Sequence, residues 1–550
     1  MSRFNQRGVK PRVTSPVTTS GARTVTAEGG SGHLRDPRSE LFLLAISNVV
    51  GTDTFYEKGG DRDDRYQRLV RRLAIEDPRW TAALLAWLRG DGNMRTAALV
   101  GAAEFTAERL RNDAPGYSRQ VVGSVLQRPD EPGEFLAYWT STFGRRLPKP
   151  VKRGVADAVQ RLYSERSLLK YDTESKGYRF GDVLELVHPS PAADKPWQGD
   201  LFKHAIDRRH GRGDDIPAAL RIVRGRAELM AVPVGNRRGL LGSGGGDRTD
   251  GTDGTDGSSR IAAAGMTWEA LAGWLQGPMD KVAWETVIPS MGVFALVRNL
   301  RNFDRAGVSD EAAAQVAATI CDPERVARSR MLPFRFWAAH KHVASLRWGH
   351  ALDKALNLSL ANVPALPGRT LILVDRSPSM FPGFGFSTPN SSDITLAEQA
   401  AVFGAALAVR AADPTLVEFG MRSRPVAVPK GGSVLRLIEK FGRIDGTDIP
   451  SAVKAHFRGH DRIVVVTDEQ TRPGWFPSNA SGHGGMRETE IDALVPKNVP
   501  VYMWNMAGYK AGAMPSGTGD RHTFGGLTDH AFGMIPLLES GRSASWPWER

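Results

Sequence analysis

The stretch LILVDRSPSM, residues 371–380, runs from an apolar segment into an aspartate and then two serines at alternate positions. An apolar, β-branched run of this length predicts a buried strand, and Asp-x-Ser-x-Ser at its end predicts a polar loop. Two further runs read alike: RIVVVTD ends on Asp468, and VPVYMWNM occupies residues 499–506. Between the first two lies TLAEQAAVFGAALAVRAA, residues 395–412, an amphipathic helix. Buried strands alternating with helices imply a parallel sheet covered on both faces, the doubly wound α/β class.

In such sheets ligands gather at the carboxyl ends of the strands. Asp375, Ser377 and Ser379 stand at one such end and Asp468 at another. GRIDGTDIPSAV adds Thr447 in a glycine-opened loop ahead of a helix. Taken alone, Asp-x-Ser-x-Ser is also what a helix cap looks like. Three strand-end loops in order, all carrying hard oxygens, point to a divalent cation with the chemistry of Mg²⁺.

The ordered set resembles the metal-ion-dependent adhesion site (MIDAS) of von Willebrand factor A domains. The resemblance implies Mg²⁺ ligands at Asp375, Ser377, Ser379, Thr447 and Asp468, and a binding role with no nucleophile or general base. The expected domain spans residues 366–540, with a tail at 541–550 whose tryptophans pack on a neighbouring surface.

Upstream the pattern changes. LFLLAISNVV, RYQRLVRRLAIE, RWTAALLAWLRG and MRTAALVGAAEFTAERLR carry apolar residues at three- and four-residue spacing. Asp77–Pro78 and Asp322–Pro323 are helix starts in which the acid caps and the proline opens. Residues 38–365 are therefore expected to form an all-α, HEAT-like solenoid of paired helices. GLLGSGGGDRTDGTDGTDGSSR, residues 239–260, has too little apolar surface to bury and is expected to be a flexible insertion. Residues 1–37 are expected to be a basic disordered arm.

Charge is uneven. Residues 1–365 hold 53 Lys and Arg against 42 Asp and Glu, whereas residues 366–550 hold 19 against 18. A basic helical part favours a polyanion. Arg145, Arg146, Lys149, Lys152 and Arg153 cluster ahead of and within the first turns of a helix, with no acid before Asp157. Lys176, Tyr178, Arg179 and His188 form a second group, in which Tyr178 can stack on a base. Arg298, Arg301 and Arg305 fall on one helical face, while Val293, Leu296, Val297, Leu300 and Phe303 fall on the opposite one at core spacing. A solvated helix face would show the same arginine stripe.

The segments MRTAALVGAAEF, GRRLPKPVKRGVADAVQRLY, FGDVLELVHPSP, WETVIPSMGVFALVRNLRNF and MLPFRFWAAH, ahead of the A-type domain, resemble the TROVE-domain (Ro-type) ring proteins. The resemblance implies a helical ring that binds small noncoding Y-like RNA on its outer surface. Single-stranded ends of misfolded or decaying RNA would enter the central hole, in RNA quality control or decay. It places Arg153 where the family carries a basic residue associated with Y RNA. Phe180 stands where the animal members lead one to expect histidine; a phenylalanine can still stack on a base but cannot hydrogen-bond a phosphate. An exoribonuclease partner, a monomeric ring, a cytoplasmic location and no enzymatic activity are also implied. The single cysteine, Cys321, excludes an intramolecular disulfide, and no apolar segment approaches the roughly 20 residues of a membrane span. The alternative is a protein-interaction scaffold acting through the metal site.

Overall fold

The structure is a computed structural model that describes residues 13–47, 51, 53–241, 257–343, 345–361, 363–381, 395–429, 433–477, 486–526 and 533–549. It divides into two compact units. One comprises Met1–Leu73, Leu332–Ala338 and Leu356–Arg550, and the other comprises Ala74–Met331 and Ala339–Ala355.

The first unit is built on a six-stranded sheet of β3 (Leu366–Asp375), β4 (Ala411–Phe419), β5 (Ser423–Pro425), β6 (Arg462–Thr467), β9 (Val501–Asn505) and β11 (Arg521–Gly525). Their order is β11-β9-β6-β3-β4-β5, parallel except for β5 against β4. The three strands expected from sequence are its centre. All six residues of β6 are buried, as a strand covered on both faces requires. Each large aliphatic side chain so covered contributes about 1.5–3 kcal/mol. The helix Leu396–Arg410 begins at a capping box, in which Thr395 and Glu398 bond each other's backbone amides. It lies so close to β3 that a Cβ at Gly404 would sit 2.3 Å from a Val374 methyl. The chain leaves β3 toward β4 on one side and returns to β6 on the other. The adjoining carboxyl ends of β3 and β6 are therefore a topological switch point, where open sheets hold ligands.

Residues 13–35 depart from the expected disordered arm, whose residues 1–12 lie outside the described residues. The strands β1 (Thr19–Val25) and β2 (Ser31–Arg35) form an antiparallel hairpin, and β2 pairs with β10 (Ala511–Gly512) in a second sheet. Composition concealed this, because the arm's own residues bury little; the pairing partner is almost 500 residues away. A two-stranded hairpin is marginal alone and gains its stability from such docking. The helix Pro37–Ile46, and the helix Gly59–Glu76 as far as Leu73, belong to this same unit, which differs from the expected boundary at residue 38. Arg62 and Arg65 tie them down by donating to the carbonyls of Ala507 and Gly508 at 2.8 and 3.0 Å. In the tail, Trp546 stacks on Trp548 and meets Phe42 edge-on at 5.1 Å.

The second unit is helical from Pro78–Arg89 through Pro323–Ser329. Asp77 and Asp322 cap as expected, accepting from Trp80 N at 3.3 Å and Arg325 N at 2.8 Å. Glu131 is fully buried and saturated: Arg89, Arg95 and the amides of Gln127 and Arg128 all donate to it. Near the unit's far end, Arg330 donates to the Gly90 carbonyl at 3.1 Å, so late and early helices of this unit meet. The flanks of the expected insertion are helical at Arg238–Leu240 and Gly257–Ala263; residues 242–256 lie outside the described residues. Among the described residues no helix is long and apolar enough to cross a membrane.

Candidate cation site and nucleic-acid interface

Of the five residues expected to hold a cation, Asp375, Ser377, Ser379 and Asp468 lie together in the first unit, and Thr447 is on a loop whose carbonyl accepts from Arg472 N at 2.8 Å. Asp375 closes β3, and its Oδ1 accepts from the Ser377 amide at 2.9 Å, which curls the loop back on itself. Ser377 and Ser379 hydroxyls are 3.2 Å apart. Thr447 precedes Asp448, the N-cap of the helix Ile449–His456, whose carboxylate accepts from Ser451 N. Asp468 follows β6 and accepts from Gln470 N at 3.1 Å. All five are at most 5% exposed.

Burial raises the carboxyl pKa of Asp375, and burial together with the Asp375 charge raises that of Asp468. Two ionised carboxylates in so dry a site repel, and each lacks water to offset its charge. Among the described residues Asp468 Oδ2 is buried and makes no hydrogen bond, with the Ser379 hydroxyl as its side-chain neighbour. An anionic oxygen left without a donor suits a cation, and the set of carboxylate and hydroxyl oxygens is that of Mg²⁺ rather than of a softer metal. The residues therefore fit the group that the sequence pattern implies.

Sequence reasoning passed over two neighbours. Thr467 donates to Asp375 Oδ2 at 2.5 Å and fixes its orientation. Arg376, between the expected ligands Asp375 and Ser377, is 5% exposed and donates to the carbonyls of Gly442 and Ala397, with Phe381 and Phe441 on its faces. A buried cation clamped between loop and helix holds the first ligand loop in place. Thr467 was visible as a hydroxyl beside Asp468; nothing in the sequence marks Arg376 as buried.

The basic residues lie in the second unit. Arg145, Arg146, Lys149 and Arg153 are exposed and Lys152 half-buried, around the start of the helix Lys149–Leu162. That helix has Pro148 at its N-cap and no side-chain cap. Cations there oppose the positive end of the helix dipole, at a cost of about 0.3–1 kcal/mol each that a bound anion reverses. Among the described residues none of the five side chains has a hydrogen-bond or ion-pair partner. By contrast Arg119, nearby in sequence, is held in a two-point pair by Asp157 at 2.7 and 2.8 Å.

The second predicted group is engaged within the protein. Lys176 pairs with Glu134 at 3.2 Å, Arg179 with the buried Asp172 at 3.0 Å, and the Tyr178 hydroxyl meets Thr140 at 3.1 Å. His188 is exposed, in the left-handed conformation that ends the helix Phe180–Val187. Phe180 is 3% exposed and lies face to face with Tyr163 at 3.8 Å. That ring is core because the helix turns it inward, and it offers no face to a base.

Arg298, Arg301 and Arg305 are exposed and, among the described residues, unpaired on the helix Val293–Ala306. Val293, Leu296, Val297, Leu300 and Phe303 are buried, as their spacing requires. Phe294 was overlooked: 53% exposed, it precedes Arg298 by one turn and continues the arginine stripe with an aromatic ring.

Comparison with known proteins adds three findings. The family model of the TROVE domain matches residues 263–348, which include the arginine-bearing helix. No curated protein matches the chain in sequence. Among solved structures, the crystal structure of the Deinococcus radiodurans RO (RSR) protein is similar at 17% identity and a TM-score of 0.57, over 92% of this chain and all of that one. At that identity the likeness is one of fold. Residues 263–348 are thus similar to the TROVE domain, and the fold of the chain is similar to that of the Deinococcus RO protein.

Proposed function

We propose that this is a non-catalytic RNA-binding protein that holds a small structured, Y-like RNA on the basic surface around Arg145, Arg146, Lys149, Lys152 and Arg153. The observation that carries the reading is that these five cations surround a helix start without a side-chain cap and, among the described residues, have no hydrogen-bond or ion-pair partner. Cations left unpaired beside free backbone amides are what phosphate oxygens require. The stripe of Arg298, Arg301 and Arg305 serves single-stranded ends of misfolded or decaying RNA, with backbone charge and stacking read in place of sequence. Cytoplasmic RNA quality control beside an exoribonuclease, as a monomeric ring, completes this reading. The cation site is a separate, non-catalytic element that holds Mg²⁺ through Asp375, Ser377, Ser379, Thr447 and Asp468. When bound, the ion neutralises the paired carboxylates and offers an exchangeable position to an oxygen ligand.

The test is purification from the native cells at moderate salt, with sequencing of any RNA that remains bound. The same is done for the triple variant R145E/K152E/R153E. A discrete small RNA, absent from the variant, is the expected result. Equal RNA on both proteins would move its binding elsewhere, and none on either would favour a protein scaffold centred on the cation site.

A further inference from the structure

The turn between β1 and β2 is built against the loop that follows β6. Thr26 N bonds the Gly30 carbonyl at 2.8 Å, closing the turn. Thr26 Oγ1 and Gly30 N both donate to the Thr471 carbonyl, at 2.5 and 3.2 Å, and Ala27 N donates to the Gln470 side chain at 2.9 Å. A Cβ at Gly30 would come within 2.5 Å of that Thr471 oxygen, so the close seating requires glycine. The N-terminal turn is thereby fixed to the loop carrying Asp468, and Arg472 N in turn bonds the Thr447 carbonyl at 2.8 Å.

Two side chains of this N-terminal region, Glu28 and Tyr56, lie beside the loops of the cation site. Glu28 accepts from Arg472 Nε through one oxygen at 2.9 Å and from the Tyr56 hydroxyl through the other at 2.7 Å. The Tyr56 hydroxyl also neighbours Ser379 and lies in the field of Asp468. Its ring is held edge-on by Tyr509 at 5.5 Å, and Tyr509 lies under the Arg62 guanidinium. A chain of contacts thus runs from Ser379 through Tyr56 to Glu28 and Arg472.

A hard divalent cation takes six or more oxygens, and a position not filled by the protein exchanges water or a carboxylate. The five loop residues are at most 5% exposed, and the oxygens next to them from outside the three loops include the phenol of Tyr56, with the carboxylate of Glu28 behind it.

We propose that Tyr56 and Glu28 are further members of the cation site, an intrachain cover that occupies the side from which an acidic side chain of a partner would reach the metal. This inference rests on reading the three loops as a cation site. The cover works by competition. An acidic partner sees the site only in the fraction of molecules whose N-terminal turn has lifted, and its apparent affinity falls by that fraction. Being tethered, Glu28 and Tyr56 compete at an effective concentration on the order of millimolar.

The test uses purified full-length protein with Mn²⁺ as the probe. Electron paramagnetic resonance counts bound ion, and water-proton relaxation reports water exchanging on it. Wild type is expected to bind Mn²⁺ with low relaxation enhancement that acetate does not alter. E28Q and Y56F, each of which keeps its side-chain shape, are expected to raise the enhancement about twofold or more, as a protein oxygen gives way to water, and to make it fall on adding acetate. Melting temperatures of the two variants confirm that they fold. If wild type and both variants show the same enhancement and the same response to acetate, while D468N loses Mn²⁺, the cover is wrong and the cation site stands. If wild type, D375N and D468N bind Mn²⁺ alike, or none binds it, the cation site falls and the cover with it.

Discussion

Arg35 Nη2 lies 2.7 Å from Glu469 Oε1, with both side chains at most 1% exposed. The pair joins the end of the N-terminal hairpin to the residue following Asp468, and Glu469 also accepts from Asn505 Nδ2 and Ala513 N, both at 2.9 Å. Removing one partner leaves the other charged and dry, which costs about 3–5 kcal/mol. Arg35→Met is expected to lower the unfolding free energy of the first unit, measured by urea denaturation, by that amount. Arg23→Ala, which removes a hairpin pair with Glu490 whose arginine is 57% exposed, should cost at most about 1 kcal/mol. Equal effects would show that the hairpin is not an integral part of that unit.

His522 sets a pH dependence for the same unit. It is fully buried on β11, with Nδ1 2.9 Å from the Ser15 hydroxyl and the ring stacked on Tyr502. Burial, helped by the Arg521 charge, lowers its pKa from 6.5 to about 4. The folded protein thus keeps the ring neutral where the unfolded chain protonates it. Its contribution is fully present above pH 6.5 and declines as pH falls from there toward 4, by at most about 3 kcal/mol. Denaturant melts between pH 7 and 4.5 should steepen in this sense for wild type and less for H522Q. The difference between the two isolates His522 from His33 and His460, whose pKa values are also lowered.

How much of this was legible follows from where the information resides. The central strands and the helix Leu396–Arg410 were readable because burial on both faces leaves an uninterrupted apolar run, and a capping box leaves Thr and Glu three apart. That Asp375, Ser377, Ser379 and Asp468 would lie together was readable because strand ends in a doubly wound sheet converge by topology. Residues 19–35 were not readable as strands, since their order depends on Ala511 and Gly512, and no local pattern encodes a partner so distant. Lys176 and Arg179 looked like surface cations because their acids, Glu134 and Asp172, come from other helices or lie several residues away. Charge type is local in sequence; pairing is not.

Magnesium should stabilise the first unit through the two raised carboxyls. A ligand that binds only the folded state at about 100 times its Kd adds roughly 2.7 kcal/mol. Millimolar Mg²⁺ is expected to raise the melting temperature of wild type and to leave D375N unchanged. The expected sign in the absence of metal is opposite: replacing one of two buried carboxylates relieves repulsion, so D375N should melt at or above metal-free wild type. A wild type indifferent to Mg²⁺ would remove the ion from the proposed site.

If the helix Val293–Ala306 holds single-stranded RNA as proposed, Phe294 and the arginines should make separable contributions to binding it. A base stacked on an exposed ring is worth about 1–3 kcal/mol and carries no counterions, so F294A should weaken binding by that amount at every salt concentration. Each of Arg298, Arg301 and Arg305 that neutralises a phosphate should reduce the slope of log affinity against log salt by about 0.7 when changed to alanine. Filter binding of a short unstructured oligonucleotide between low and moderate salt measures both quantities. A changed slope in F294A, or an unchanged one in R298A/R301A/R305A, would mean that the stripe is a solvated face and that single-stranded RNA is held elsewhere.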